Sequence, residues 1–237
     1  MAFWLPGIAQ SEGTGGDTKA ELILFQTHGD NGPQIIQLTA NQLHIVNKNG
    51  GYELLAKAPD WGVTLFRRDD KKSYFTSFLG FHSFSAYGPI VNYTGSTSFK
   101  KIATERKKDL QLTTYSKSPG NDYVMIENFK VAPQVAEILQ IYYRVPLPGI
   151  PYRYNMHAKT RAATLIIGKE LAPDPLDKIM LRTDKWQILK QTNSNDFVCA
   201  KGLKPVKTQS EILLSDQKKV EFDSILEDMG VGKKLGN

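Results

Sequence analysis

Residues Ile36–Phe78 read IQLTANQLHIVNKNGGYELLAKAPDWGVTLFRRDDKKSYFTSF, and this stretch decides the fold. Apolar residues recur at every second position: Ile36 and Leu38, then Leu43 and Ile45, then Val63 and Leu65. Successive side chains of an extended strand point to opposite faces, so this period marks half-buried strands. Turn formers stand between the runs. Lys48-Asn-Gly-Gly51 supplies residues that accept positive φ, a strong hairpin signal. Pro59-Asp-Trp-Gly62 and Asp69-Asp-Lys-Lys72 punctuate the chain again. The expected strands are therefore Gln34–Leu38, Gln42–Asn47, Tyr52–Ala58, Val63–Arg68 and Ser73–Phe78. Ala20–Thr27 precedes them, before the turn cluster His28–Pro33. About six short strands at intervals near ten residues, with no helical pattern between them, describe an antiparallel meander. Parallel strands would need long crossovers that are absent here.

Downstream, Leu110–Lys117 alternates cleanly, Ser118–Asp122 is a turn, and Tyr123–Phe129 is a further strand. Leu79–Gly95 is expected as an aromatic, turn-rich loop, and the basic segment Ser98–Lys108 as a short helix. Ala132–Tyr143 is the clearest helix: Val135, Ile138, Leu139 and Tyr142 share one face, and Pro133 suits the first turn. Pro146, Pro148 and Pro151 end it. Tyr152–His157, Ala162–Gly168 and Ile179–Leu189 read as strands, and Lys218–Met229 as a last helix stopped by Gly230. Residues 1–18 are expected to be a disordered N-terminal segment with a Gly/Thr/acidic linker at Ser11–Thr18. Its apolar start reads either as a disordered end or as a signal-peptide remnant. Residues 19–237 form a single β-rich domain.

The 237 residues are 41% hydrophobic and 23% charged, which excludes a chain that is disordered or collagen-like throughout. One cysteine, Cys199, excludes an internal disulfide and a cysteine-cluster zinc site. The net charge is +6, and five basic residues concentrate in Lys100–Asp109: Lys100, Lys101, Arg106, Lys107 and Lys108. This patch is the candidate contact for an anionic surface or, less favoured, nucleic acid. Its solvated-face reading stands beside that.

Catalytic motifs are missing. His28, His44, His82 and His157 are too far apart in sequence for a helical metal pair, and no Gly-x-Ser-x-Gly elbow occurs. Gly13-Thr-Gly-Gly16 lacks the strand and lysine of a phosphate loop. Cys199 lies in Phe-Val-Cys-Ala, which reads as a buried apolar stretch rather than a reactive thiol. No enzyme activity, cofactor or metal is expected. Tyr142-Tyr-Arg144 and Tyr152-Arg-Tyr154 interleave aromatics with arginine, and a structural role accounts for them better than base stacking. Asn92-Tyr-Thr94 is a glycosylation sequon.

Trp61, Phe66, Tyr74, Phe75, Phe78, Phe81 and Phe84 crowd together, and a single meander cannot bury both faces alone. The expected fold is mainly β: a curved antiparallel half-barrel with two or three helices packed on its open concave side. The expected hydrophobic lining of its cavity is Trp61, Val63, Leu65, Tyr74, Phe78, Leu110, Leu112, Ile138 and Tyr142.

Ile36–Phe78, with its charged turn and hairpin at Asp70-Lys-Lys-Ser-Tyr74, resembles the bacterial lipoprotein-carrier (LolA/LolB-like) superfamily and related extracytoplasmic families. Phe197–Val206 (FVCAKGLKPV) resembles the closing strand and turn of such domains. The resemblance implies an incomplete antiparallel barrel plugged by helices. It also implies a place in the periplasm or cell envelope, and binding of an acyl chain, lipid or lipidated protein. The chain departs from that pattern in lacking a complete secretion signal and an N-terminal lipid-bearing cysteine, and Val145–Pro151 has no counterpart in it. Two alternatives remain: a structural or interaction domain with a self-filled interior, and a binder of anionic surfaces through the basic segment.

Overall fold

The computed structural model describes residues 20–82, 99–117, 121–156, 178–191, 197–217 and 220. Twelve strands form one open sheet: β1 (Glu21–His28), β2 (Gly32–Thr39), β3 (Gln42–Asn47), β4 (Tyr52–Lys57), β5 (Val63–Arg67), β6 (Lys72–Thr76), β7 (Lys100–Lys107), β8 (Leu110–Lys117), β9 (Asn121–Ile126), β10 (Ile150–Met156), β11 (Lys178–Leu189) and β12 (Lys204–Pro205). Their spatial order is β12-β6-β5-β4-β3-β2-β1-β11-β10-β9-β8-β7. Two meanders, β1–β6 and β7–β11, are joined where β11 returns to pair antiparallel with β1. Among the described residues every pairing is antiparallel except the two-residue contact of β12 with β6. The helices among the described residues are α1 (Phe78–Phe81), α2 (Pro133–Tyr143) and α3 (Ser210–Leu213).

The first meander follows its alternation closely. Leu38 pairs with Leu43, Ile36 with Ile45, Ile45 with Leu54, and Leu54 with Leu65. Paired residues share a face, so these side chains make one aliphatic layer. The Asn-Gly-Gly turn is explained by Gly51, which has φ +67 and faces the Arg67 guanidinium. A Cβ there would lie 2.8 Å from Arg67 Nη2. Arg67 is only 3% exposed, donates to Gly50 O and Ile212 O, and is neutralised by Asp69 and Asp70.

α2 lies along the β2–β3 hairpin. Ala132 N donates to Ala40 O at one end, and Tyr142 and Tyr143 bond residues at the other. Val135, Ile138, Leu139 and Tyr142 are buried, as the spacing predicts, and Tyr143 is buried with them. Arg144 ends it in the left-handed region at φ 53.

The segment after residue 197 wraps the β6 edge. Phe197 packs with Leu55 and Phe66 on the outer face, β12 lies on the edge, and Ile212 enters the inner core. The expected closing strand at Phe197–Val206 is thus reduced to Lys204–Pro205.

The basic segment is a correction. Lys100–Lys107 is a strand, not a helix, and all eight residues are exposed. Its partner is Leu110–Lys117 across the turn Lys108–Asp109, with Lys108 at φ 53. The β-branched Ile102 and Thr104 favour extension, and charged side chains suit an edge strand. Residues 1–18, the strand expected at Ala162–Gly168 and most of the helix expected at Lys218–Met229 lie outside the described residues.

Candidate functional site

All nine residues expected to line the interior fall in one apolar cluster. Val63, Leu65, Leu110, Leu112, Ile138 and Tyr142 expose 5% or less, so the protein's own atoms cover them. Trp61, in the β4–β5 turn, Tyr74 on β6 and Phe78 on α1 are only partly buried against the same cluster. α2 is the principal filling. Its N-terminus has no side-chain cap, because Ala132 occupies that position.

The interior is polarised end to end, which sequence reading did not anticipate. Around the C-terminus of α2, Tyr143 Oη donates to Gln26 Oε1 at 2.7 Å and lies 3.0 Å from Gln34 Oε1. Gln26 Nε2 donates to Pro151 O and Thr183 Oγ1. Asn47 Nδ2 donates to Tyr52 Oη, whose own oxygen lies 3.2 Å from Tyr142 Oη. Burial, reinforced by the neighbouring Tyr52, holds both α2 phenols well above their ordinary value. They are neutral hydrogen-bonding groups that clamp this end of the helix. Gln26, Gln34 and Asn47 continue the inward-facing register of Leu24, Ile36 and Ile45. The alternation therefore gave their facing, though not their partners.

A second cluster lies on the outer face. His44 Nε2 is 2.8 Å from Glu53 Oε2, and Arg68 donates to both Glu53 oxygens. His44 stacks on Phe66, and Arg68 lies over the same ring. Burial raises the Glu53 carboxyl, but hydrogen bonds and charges from His44 and Arg68 outweigh it, leaving the group below its ordinary value. Cys199 sits beside this cluster, and burial pushes its thiol up, as does the Glu53 charge. A thiol held protonated is a poor nucleophile. The hairpin arithmetic contained this site: His44 and Glu53 lie on one face, diagonal across the Asn-Gly-Gly turn. Among the described residues no three His, Cys, Asp or Glu side chains come together to hold a metal ion.

The basic residues divide. Lys100 and Lys101 stand at the far end of β7, and Arg106 Nε donates to Lys108 O. Lys107 and Lys108 instead turn toward aromatics of other strands. Lys107 Nζ donates to Tyr152 Oη at 2.9 Å and lies 5.4 Å from the Trp186 ring centre. Lys108 Nζ is 5.8 Å from the same ring. Tyr152 is on β10 and Trp186 on β11, so β7 lies four strands from Trp186. In a flat sheet that is roughly 19 Å at about 4.8 Å per strand, beyond the reach of a lysine. The sheet must curl to bring them together.

No family model matches the chain, and no curated protein does. Among solved structures, an uncharacterized conserved protein from Thermus thermophilus is similar at 5% identity and a TM-score of 0.31. The match covers 81% of this chain and 93% of that one. So weak a likeness carries no argument about fold or function.

Proposed function

We propose that the protein is a non-enzymatic, extracytoplasmic binder of apolar chains (an acyl chain, a lipid or a lipidated protein) in its half-barrel interior, with α2 filling that interior when no ligand is bound. One observation carries the reading: the nine lining residues form one continuous apolar cluster whose partly exposed members are Trp61, Tyr74 and Phe78. An entering chain would exchange with the apolar face of α2. Val135, Ile138 and Leu139 contribute about 1.5–3 kcal/mol each by burial. An acyl chain of about a dozen methylenes gains about 10 kcal/mol gross at about 0.8 kcal/mol each, the same order as the burial that these three side chains give up. The polar clamp at Tyr142 and Tyr143 holds the C-terminal end of α2 by several side-chain bonds, against the single backbone bond of Ala132 N to Ala40 O at its uncapped start, which favours opening from the N-terminal end. The extracytoplasmic placement rests on the family resemblance.

Native mass spectrometry of the purified protein, followed by solvent extraction, tests this. A co-purifying amphiphile, or uptake of added dodecanol, is the expected result. A bare mass with no uptake would overturn it. The near-complete burial of Val63, Leu65, Leu110, Leu112 and Ile138 favours the second reading, an interaction domain whose interior is permanently self-filled.

A further inference from the structure

We infer that Lys107 and Lys108, with Trp186 and Tyr152, form a site for the anionic headgroup of an amphiphile whose chain enters the interior. This rests on the apolar-chain reading above and specifies its ligand class. Tyr152 belongs to the apolar cluster and Trp186 packs against it, so the two ammonium groups stand at the margin of the interior. An indole and a phenol suit such a margin, because each has an apolar body and a polar end.

Among the described residues, these two cations face no carboxylate. Arg67 faces Asp69 and Asp70, Arg68 faces Glu53, Lys72 faces Asp216 and Arg182 faces Asp184. Lys107, by contrast, meets the Tyr152 hydroxyl and aromatic rings, and Lys108 meets the Trp186 ring. An ammonium has three donors, so Lys107 keeps two after bonding Tyr152. A carboxylate or phosphate would accept charge-assisted bonds from these ammonium groups. Lys108 also occupies the left-handed region at φ 53, where lysine is less at ease than glycine or asparagine. The backbone there holds a cation toward Trp186 at a conformational cost.

Calorimetric titration of the full chain with dodecanoate, dodecanol and acetate tests the site. The expected result is dodecanoate binding about tenfold tighter than dodecanol, with acetate not bound. Lys107→Gln/Lys108→Gln should abolish the difference while leaving dodecanol affinity unchanged. Lys48→Gln/Lys201→Gln removes the same charge from exposed positions elsewhere and should keep it. Equal binding of dodecanoate and dodecanol by the unmodified protein would overturn the headgroup site and leave the apolar interior standing. Equal loss in the control pair would also overturn it, since net charge would then explain the preference. Acetate binding as tightly as dodecanoate would make this a free-anion site and overturn the amphiphile. Binding of none of the three would remove the apolar-chain reading itself.

Discussion

The two meanders are built to different standards of regularity. From β2 to β6 the register runs without a shift, and the shared layer is aliphatic: Ile36, Leu38, Leu43, Ile45, Leu54 and Leu65. The second meander breaks register at Lys101/Ala103, at Pro151/Arg153 and at Tyr154/Asn155, and its seam with the first breaks at Phe25/Gln26. Its packing adds aromatic pairs to aliphatic residues such as Leu110, Leu112 and Ile126, with Tyr123 stacked on Tyr154 and Tyr152 edge-on to Trp186. An extra residue in one strand bends it and increases its twist. The bulges therefore account for the curl that carries Lys107 back over β10 and β11. The regular half holds both ends of α2 by hydrogen bonds, and the irregular half packs β10 against the helix and carries Lys107 and Lys108 to Trp186.

The largest effect should come from asking whether the halves fold as one. Leu65→Ala in the first meander and Leu112→Ala in the second remove side chains of equal burial. Each should cost about 3 kcal/mol in urea titration and shift the same single transition, because one apolar cluster spans both halves. Two separate transitions, each sensitive to one variant, would break the comparison into two independent units.

Next in size is the clamp. Tyr143→Phe removes a hydroxyl between the Gln26 and Gln34 side-chain oxygens, leaving Gln26 without that donor in a buried site. The expected loss is about 1–3 kcal/mol by the same titration. A loss near zero would show that the helix is held by its apolar face alone.

These contrasts also mark what is legible in the sequence. The β2–β6 strands are readable because each has one apolar face and ends in a turn with its own chemistry, as at Lys48–Gly51. α2 is readable because its period and prolines agree. The β7 strand reads wrongly as a helix because all of its side chains are exposed, so no face carries an apolar period. The convergence on Trp186 is out of reach because it depends on bulges, and a bulge is one extra residue with no composition of its own. Six of the nine proposed lining residues lie in one cluster and Trp61, Tyr74 and Phe78 pack against it, yet the near-complete enclosure of the six follows from how α2 seats, which periodicity does not specify.

The outer-face triad gives a pH test confined to the regular half. The Glu53 carboxyl is held below its ordinary value of 4.5, so its ionised form contributes stability at and above that pH. That contribution is lost as pH falls below 4.5 through the folded-state value. Glu53→Gln should therefore cost about 1–2 kcal/mol at pH 7, discounted because Arg68 is more than half exposed. The variant should also lose less stability than the parent between about pH 5 and about pH 3. Parallel acid profiles would mean that the His44 and Arg68 contacts do not stabilise the ionised group.

The smallest effect separates backbone cost from ring attraction in the irregular half. Lys108 sits at φ 53, and asparagine tolerates that region better than lysine. Lys108→Asn should relieve part of a strain of about 1 kcal/mol. It also forfeits an exposed cation–π contact with Trp186 worth about 0.5 kcal/mol. The net expectation is a gain of a few tenths of a kcal/mol, read as a small rise in Tm. A fall of about 1 kcal/mol would mean that the indole holds Lys108 more tightly than an exposed contact does, making the lysine part of what closes the curl. The irregular half would then owe its shape to its charged rim as well as to its bulges.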